Sequence, residues 1–189
     1  MIEFVKDQHI YLKDGVIIPS VTHIINQIMP MSDSIPVNVL KRAAEFGTQV
    51  HSAIELIESG LWCDLSLLEQ HCINEYESIK ASNKWVVLSQ ERIVSYQDKY
   101  AGTYDMLCNI NDKLCLLDIK TTYATDIKKL EWQLGMYKLA YESENDDVIE
   151  KCYCIWLPKR KGGKLIEITP KSKEEIEGLL NEIKTKQGL

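Results

Sequence analysis

The stretch GTYDMLCNINDKLCLLDIK, residues 102–120, decides how this chain folds. Apolar runs stand on both sides of Asn111 and Asp112, two residue types that tolerate positive φ. Such a pattern predicts a β-hairpin whose two-residue loop is Asn111-Asp112. The register that follows from this loop pairs Ile110 with Lys113 and Asp105 with Asp118.

The predicted hairpin has two chemically different faces. Because residues two apart share a face of a strand, Lys120 projects on the same side as Asp118, and the cross-strand register adds Asp105. Three leucines share that side: Leu107, Leu114 and Leu116. The opposite side is a predicted core face and carries Met106, Cys108, Cys115, Leu117 and Ile119. We therefore expect the two carboxylates to lie next to surroundings of low dielectric constant.

Two aspartates opposite each other need a compensating charge. Like charges in this arrangement destabilise a sheet unless a cation or a shared proton intervenes. Mg2+ prefers carboxylate and water oxygens and is commonly completed by substrate phosphate oxygens. Lys120 would then orient or help deprotonate an attacking water, or stabilise charge on the phosphate in the transition state. The alternative is a hairpin end that simply reaches solvent, and a one-residue slip in register would separate the aspartates.

A histidine lies on a predicted helix upstream of the hairpin. Ser34 and Pro36 are suited to open this helix and Gly60 to close it, and apolar residues recur at helical spacing between them. His51 falls beside the apolar stripe, one turn after Gly47. It is either a boundary histidine with its hydrogen bonds satisfied or a metal ligand. A ligating ring needs a partner for its second nitrogen, which fixes the tautomer.

Four segments of the chain, taken in order, form a recognisable series. They are Phe46-Gly47-Thr48-Gln49-Val50-His51, Gly102-Thr103-Tyr104-Asp105, Asp118-Ile119-Lys120-Thr121-Thr122, and Gln133 followed by Tyr137. The series resembles the motifs of PD-(D/E)XK nucleases of the RecB-like branch. That branch includes phage-type exonucleases, CRISPR-associated adaptation nucleases and the mitochondrial genome maintenance exonuclease. Pro19-Ser20-Val21-Thr22 is also similar to an N-terminal element of some phage-type members, so the resemblance covers residues 19–141.

The resemblance implies a site in which Asp105 and Asp118 bind Mg2+ or Mn2+ and Lys120 is the catalytic lysine. It adds His51 and the backbone carbonyl of Ile119 as further metal ligands. The second acidic position is aspartate, which the family permits alongside glutamate. The chain departs from the family pattern in having no proline before the first acidic residue, a place where this branch is generally degenerate.

Further positions surround this predicted centre. Glu91, in the strand-like run 85–96, stands where several relatives have another acidic metal ligand; its other interpretation is an exposed strand glutamate. Gln133 and Tyr137 form an i,i+4 pair on a predicted, largely apolar helix at 126–141. Gln133 is either a core amide bonded to backbone or a catalytic residue that supports the lysine or a DNA phosphate, with Tyr137 beside it at the substrate.

The composition fits one enzyme domain. The chain has 189 residues, 45% of them hydrophobic and 26% charged, and no obvious linker. We expect a single domain over residues 1–189, with 1–35 as an N-terminal strand and helix extension. There is no signal-peptide pattern, and polar residues interrupt the longest apolar run, 17–29. The expectation is a cytoplasmic protein of a bacterial or phage-infected cell, without membrane association.

The six cysteines include no CxxC spacing. Several adaptation nucleases of the similar branch carry an iron-sulfur cluster, with one cysteine ahead of the core and three near its end. Here the last group has only Cys152 and Cys154, which alternate with Tyr153 on a predicted strand. We therefore expect no iron-sulfur cluster and interpret the cysteines as buried, reduced thiols.

The net charge of −6 opposes the binding of a polyanion, so any attraction must be local. A basic segment at 159–164 is a predicted hairpin tip. Its residues Lys159, Arg160 and Lys161 are expected to contact a nucleic-acid backbone; the alternative is an ordinary solvated turn. The overall sign also favours a protein partner or a homo-oligomer that contributes affinity for DNA.

The remaining pattern predicts the architecture. It contains a strand pair in 1–18 with turns at Lys6-Asp7-Gln8 and Lys13-Asp14-Gly15, helices at 21–27, 36–60, 65–82, 126–141 and from Ser172, and strands at 85–96, 152–157 and 165–168. This order predicts an α/β fold with a mixed central β-sheet flanked by helices. It agrees with the restriction-endonuclease-like core that the resemblance implies.

The predicted function is a metal-dependent DNA nuclease that hydrolyses phosphodiester bonds with metal-activated water, in a phage or in DNA repair and recombination. An exonuclease is favoured over a site-specific endonuclease because no added recognition domain is evident. Single- and double-stranded DNA both stay open as substrates. Two other classes are a catalytically weak nucleic-acid-binding accessory protein of the same fold and a metal-binding structural protein. The set of Asp105, Asp118 and Lys120 argues against the accessory protein.

Overall fold

A computed structural model describes residues 2–5, 10–30 and 35–187 of the chain. Two sequence predictions, the turn at Lys6-Asp7-Gln8 and the helix-opening role of Ser34, lie outside these residues. The described strands are β1 (Ile2–Val5), β2 (Ile10–Lys13), β3 (Val16–Ile18), β4 (Val86–Tyr96), β5 (Tyr100–Ile110), β6 (Lys113–Lys120), β7 (Lys151–Trp156) and β8 (Lys164–Ile168). The helices are α1 (Val21–Ile28), α2 (Val37–Glu58), α3 (Leu67–Asn83), α4 (Ile127–Glu144) and α5 (Lys173–Gln187).

The central feature is a five-stranded sheet with the order β4-β5-β6-β7-β8. Neighbouring strands are antiparallel except β6 and β7, which are parallel. Parallel neighbours need a long crossover connection, and helix α4 lies in the one that joins these two strands. The protein is therefore α/β with a mixed sheet flanked by helices. This confirms the predicted fold class and is consistent with a restriction-endonuclease-like core.

The hairpin of β5 and β6 has the predicted loop and register. Asn111 and Asp112 have φ values of 51° and 62°, as a two-residue type I′ turn requires. The pairing runs from Ile110 opposite Lys113 to Met106 opposite Leu117. The next step in the same register is Asp105 with Asp118, where the ladder ends and the candidate site begins.

The two faces of the sheet carry separate apolar clusters. Helices α2 and α3 cover one face, where the cluster includes Met106, Cys108, Cys115, Leu117 and Ile119. Helices α1, α4 and α5 contribute to the other cluster, which includes Leu107 and Leu116 and has Leu114 packed against it. This division confirms the predicted assignment of residues to the two faces of the hairpin.

The N-terminal residues form a sheet of their own. It has three strands in the order β1-β2-β3, which corrects the predicted strand pair; β3 is three residues long, too short for an alternating pattern to identify it. The turn before β3 is the predicted one, with positive φ at Asp14 and Gly15.

The Pro19-Ser20-Val21-Thr22 segment connects this small sheet to the large one. The backbone nitrogen of Ala101 donates to the Pro19 carbonyl at 3.0 Å, beside the start of the GTYD segment. Ser20 then caps helix α1, because its hydroxyl accepts a hydrogen bond from the backbone nitrogen of His23 at 3.0 Å. The Pro19-Ser20-Val21-Thr22 segment is thus fixed next to the Gly102-Thr103-Tyr104-Asp105 segment.

Helix α2 has 22 residues and carries His51 in its middle. It begins after Pro36 and ends just before Gly60, whose φ of 73° suits glycine. Its buried residues are Phe46, Val50, Ala53 and Ile54, three of which lie in the second half of the helix with His51. His51 is therefore held at the boundary between the core and the end of the β5–β6 ladder. Across the described residues, no helix is long and apolar enough to cross a membrane.

Candidate active site

Asp118 and Lys120 form an ion pair on strand β6 in which Asp118 is buried and Lys120 is half-buried. The side chain of Asp118 is 2% exposed, which is unusual for a carboxylate. Lys120 donates a hydrogen bond to Asp118 Oδ1 at 2.8 Å, and its Nζ lies 2.6 Å from Oδ2. The strand places both residues on one face, as the sequence predicted.

The ion pair has shifted pKa values with clear causes. Burial raises the pKa of Asp118 above that of an ordinary carboxyl; Lys120 opposes the rise and Asp105 adds to it. Burial also lowers the pKa of Lys120, but Asp118 and Asp105 outweigh this effect and raise it overall. Lys120 is therefore a fixed cation in a site of excess negative charge.

One oxygen of Asp118 depends on Lys120 alone for charge compensation. Oδ2 is buried and, in the part of the chain that the structure describes, accepts no aligned hydrogen bond; the Lys120 ammonium lies 2.6 Å from it and is aligned with Oδ1. A bound cation would add a second positive charge beside this oxygen.

Asp105 is fixed from the neighbouring strand. Its Oδ2 accepts a hydrogen bond from the backbone nitrogen of Ile119 at 2.6 Å, while Oδ1 points toward His51 with 3.7 Å between Oδ1 and Nδ1. The carboxylate therefore ties β5 to β6 just beyond the last paired residues and leaves one oxygen facing the site.

His51 approaches from helix α2 with a defined tautomer. Its Nε2 lies 3.0 Å from the carbonyl oxygen of Ile119; because a carbonyl only accepts, Nε2 must carry the proton. Nδ1 then faces two carboxylates, Asp105 and Glu91, the latter with 3.9 Å between Nδ1 and Oε1. The second ring nitrogen thus has the hydrogen-bond partner that ligation by His51 would need.

The carboxylates around His51 hold it as a cation in the absence of metal. Burial lowers the pKa of His51, but Asp105, Glu91 and Asp118 raise it more, and Lys120 opposes them in part, which leaves the pKa at about 9. A divalent cation and the Nδ1 proton would compete for the same position.

Glu91 joins the site through an unusual backbone conformation. Its φ is 46°, a left-handed value that non-glycine residues rarely adopt. It stands between Gln90 and Arg92, which pair with Met106 and Tyr104 of β5. Strained residues of this kind cluster at functional sites, and this one turns a strand carboxylate toward His51. The alternative of an ordinary exposed strand glutamate does not account for the strain.

These donors fit a divalent metal. One ligand atom each from His51, Glu91 and Asp105 lies within 4.8 Å of the others. Asp118 is outside this group, but its charge raises the pKa of His51, and Asp105 in turn raises the pKa of Asp118. Three carboxylates with one imidazole form a mainly hard oxygen set, which suits Mg2+ or Mn2+. The Ile119 carbonyl oxygen accepts a hydrogen bond from His51. Its predicted role as a metal ligand remains a prediction.

Gln133 and Tyr137 lie beneath the site on α4. The amide nitrogen of Gln133 donates to the Tyr137 hydroxyl at 3.4 Å, while Lys120 is held by Asp118. Tyr137 is 5% exposed and close enough to Asp105 and Asp118 for their charges to raise its pKa, in addition to the larger effect of burial. Its position corrects the predicted substrate contact: Tyr137 packs under the carboxylates and offers little surface to a ligand.

Gly102 explains how Tyr137 fits there. A Cβ at Gly102 would lie 2.5 Å from Cε1 of Tyr137 and 3.0 Å from a methyl carbon of Val21. Contacts of that length do not occur, so only glycine allows β5, α1 and α4 to meet at this point. The glycine of the GTYD segment and the tyrosine of the Gln133–Tyr137 pair are therefore packed against each other.

The basic segment lies on the same side of the molecule as the centre. Lys159 Nζ lies 4.1 Å from the centroid of the Phe46 ring and Lys161 Nζ lies 4.3 Å from that of Tyr123. The backbone nitrogen of Leu157 donates to the Lys120 carbonyl at 2.8 Å, which joins the base of this segment to the end of β6. Lys159, Arg160 and Lys161 thus project from a turn next to the candidate site.

Two residues near the centre had no identifiable signal in the sequence. The hydroxyl of Tyr11 on β2 hydrogen-bonds to Thr103 Oγ1 at 2.9 Å, two residues before Asp105. Tyr123 follows Lys120 in a loop and, with Trp62, is one of two exposed tyrosine or tryptophan residues in the described part of the chain. Tyr11 reads as an ordinary strand residue, and only the docking of the N-terminal sheet brings it to Thr103.

The cysteines are not part of this centre. All six have free thiols; five are buried and Cys63 is half-buried. Burial raises the pKa of Cys152 and of Cys154 to about 12, so both are protonated at neutral pH. The prediction of buried thiols is confirmed for all but Cys63.

Neither a protein-family model nor a curated protein matches this chain significantly. A solved structure, "Crystal structure of SSO0001", is similar over 88% of this chain and 84% of its own, with 16% sequence identity and a TM-score of 0.40. Similarity at this level carries no functional inference.

Proposed function

We propose that this protein is a metal-dependent deoxyribonuclease. The observation that carries the proposal is the convergence of His51, Glu91 and Asp105 within 4.8 Å, next to the ion pair of the buried Asp118 and the half-buried Lys120. A divalent cation would offset the mutual repulsion of these carboxylates. Within that class, we propose the RecB-like branch of PD-(D/E)XK nucleases, on the basis of the four segments described above.

The residues divide into distinct roles in this proposal. His51, Glu91, Asp105 and Asp118 hold Mg2+ or Mn2+, which when bound lowers the pKa of water and offsets charge on the phosphate. Lys120, held by Asp118, orients the attacking water and donates hydrogen bonds to the phosphate oxygens as negative charge accumulates on them. Gln133 and Tyr137 fix the floor of the site. Water attacks phosphorus directly and loses its proton to solvent or to a neighbouring base, while the bond from phosphorus to the leaving sugar oxygen breaks and that oxygen takes up a proton from solvent.

We favour an exonuclease over a site-specific endonuclease. In the described ranges, the elements outside the central sheet and its helices amount to the small sheet β1–β3, and its residues Tyr11 and Ile18 pack with Ala101 of β5. That sheet is bound to the core, so it does not offer an independent surface for reading a DNA sequence.

The test is cleavage of end-labelled linear DNA and of circular DNA, single- and double-stranded, with Mg2+, Mn2+ or EDTA. Asp118→Asn is the inactive comparison, since it keeps the shape of the side chain and removes its charge. We expect loss of label from linear substrates only, abolished by EDTA and by the substitution. Cutting of circles would make the protein an endonuclease. Binding without cleavage under every condition would overturn the nuclease proposal in favour of an accessory nucleic-acid-binding protein.

A further inference from the structure

We propose that Tyr123 is a stacking platform for a base of single-stranded nucleic acid, next to the metal centre. This proposal adds a substrate subsite to the function proposed above and rests on it for the identity of the substrate. It concerns binding alone, so it is measured without turnover.

The ring of Tyr123 is exposed to solvent and has a lysine over one face. The residue is 80% exposed, and Lys161 Nζ lies 4.3 Å from the ring centroid. A cation at this distance holds one face of a ring by cation–π attraction. With so much of the residue exposed, the ring still has surface on which a base can stack.

The backbone on both sides of the ring is anchored. The indole nitrogen of Trp156 donates to the carbonyl of Thr122 at 2.8 Å, and the Thr122 hydroxyl donates to the Ala124 carbonyl at 2.8 Å. Through Leu157, the same end of β7 also holds the carbonyl of Lys120. Tyr123 therefore has a set position relative to the catalytic lysine, and the three residue steps from Lys120 to Tyr123 span at most about 11 Å.

Positive charge accompanies the ring. Lys159, Arg160 and Lys161 project from the adjacent turn, and Lys159 is steadied over the Phe46 ring at 4.1 Å. In a chain with a net charge of −6, this turn provides local attraction for phosphates. A basic track with an aromatic face beside it is the arrangement by which proteins bind single strands, because every base has a face that can stack.

The chemistry favours a single strand over a duplex. In a duplex, each internal base already has both faces covered by its neighbours, so Tyr123 would have nothing to stack on except at an end. A single strand can turn a base onto the ring while its phosphates follow the lysines. Trp62 provides a contrast: it is 83% exposed and lies in the segment between α2 and α3, but none of the lysine–ring contacts among the described residues involves it.

The experiment measures fluorescence anisotropy of labelled oligo(dT) and of an abasic sugar-phosphate strand of equal length, in EDTA at low salt. The variants are Tyr123→Leu, Tyr123→Phe and, as the matched control, Trp62→Leu. We expect Tyr123→Leu to bind oligo(dT) roughly tenfold more weakly and the abasic strand as wild type does. Tyr123→Phe should keep wild-type affinity for both strands, and so should Trp62→Leu.

The outcomes separate this proposal from the nuclease proposal. Equal loss on both strands, no loss on either, or no binding of oligo(dT) by wild type would each overturn the stacking role. Circular dichroism of the variants identifies any that fail to fold; if Tyr123→Leu does, Tyr123→Ser takes its place and must show the same loss of affinity for oligo(dT) alone. If the base-dependent loss appears but no condition gives cleavage, the platform stands and the nuclease proposal falls.

Discussion

Lys120 is the residue whose role separates catalysis from metal binding. Replacing it by methionine removes the charge while keeping a long side chain. Because the lysine touches Asp118 and not the other candidate ligands, we expect Mn2+ affinity by calorimetry to change little. The cleavage rate should fall by roughly 10²- to 10⁴-fold. Lys113→Met, at the exposed end of the same hairpin, is the control and should cleave at the wild-type rate. Cleavage by Lys120→Met at that rate would refute the assigned role.

His51 makes the stability of the metal-free protein depend on pH in a predictable direction. Its pKa is raised from 6.5 to about 9 by Asp105, Glu91 and Asp118 against burial and Lys120. A cation with a raised pKa stabilises the fold fully below its unfolded pKa and loses that contribution as pH rises through the folded value. In EDTA, the difference in unfolding free energy between wild type and His51→Gln should shrink between about pH 6.5 and pH 9. Denaturant unfolding at several pH values measures it; a constant difference would contradict the assigned environment.

The positions of individual site residues could be predicted from the sequence where a chemical motif lies on a strand with a clear apolar pattern. Asp105, Asp118 and Lys120 could be placed because a two-residue hairpin loop determines register, and register determines faces. Glu91 could not be placed from its pattern, since no local sequence signal reports its left-handed φ. The hydrogen bond between His51 and the Ile119 carbonyl depends on the docking of a helix, which no local pattern reports.

Among the elements, the contact between β5 and α4 depends on Gly102. A methyl group there would press on Tyr137 and Val21, so Gly102→Ala should lower the unfolding free energy by about 1–3 kcal/mol and reduce cleavage, because Tyr137 underlies both aspartates. Gly178→Ala on α5 is the control: its added carbon meets nothing within 4 Å, and it should stabilise by up to about 1 kcal/mol. Denaturant unfolding of both variants tests the contrast. A Gly102→Ala protein as stable as wild type would rule out the close approach.

The basic turn between β7 and β8 supplies the next prediction. Replacing Lys159, Arg160 and Lys161 by glutamine should weaken DNA binding and reduce its salt dependence. The slope of log affinity against log salt concentration should decrease in magnitude by up to about two, since each phosphate contact to a single strand contributes about 0.7. The control changes the same charge elsewhere, with Lys173, Lys184 and Lys186 of α5 replaced by glutamine. If the two triple variants have equal salt slopes, the turn is an ordinary solvated one.

Among the helices and strands, the long ones were predicted best from the sequence. The helix that carries His51 and the β5–β6 hairpin have strong periodic patterns and clear end signals. The small sheet was harder to predict from the sequence, because β3 is only three residues long and takes its shape from pairing with β2. Tyr123 lies in a loop, and loops have no hydrophobic periodicity from which contacts can be predicted. Its contact with Lys161 was therefore found only in the structure.

For the whole molecule, the open question is whether the two apolar clusters unfold as one unit. They lie on opposite faces of the same sheet, so strands β5, β6 and β7 belong to both, and loss of either cluster would expose the shared strands. Ile54 on α2 and Leu134 on α4 are almost completely buried, one in each cluster. They lie on helices that do not share a face of the sheet, which makes them suitable for a double-mutant cycle.

We expect Leu134→Ala to lower the unfolding free energy by about 2–5 kcal/mol and Ile54→Val by about 0.5–1.5 kcal/mol. Since the two side chains belong to separate clusters, the double variant should lose the sum of the two within about 0.5 kcal/mol. Each variant should show a single denaturant transition, at the same position by circular dichroism and by tryptophan fluorescence. Two resolved transitions, with each substitution moving only one of them, would show that the faces fold independently. The candidate metal centre, which takes His51 from one layer and rests on Tyr137 of the other, would then be assembled between two folding units.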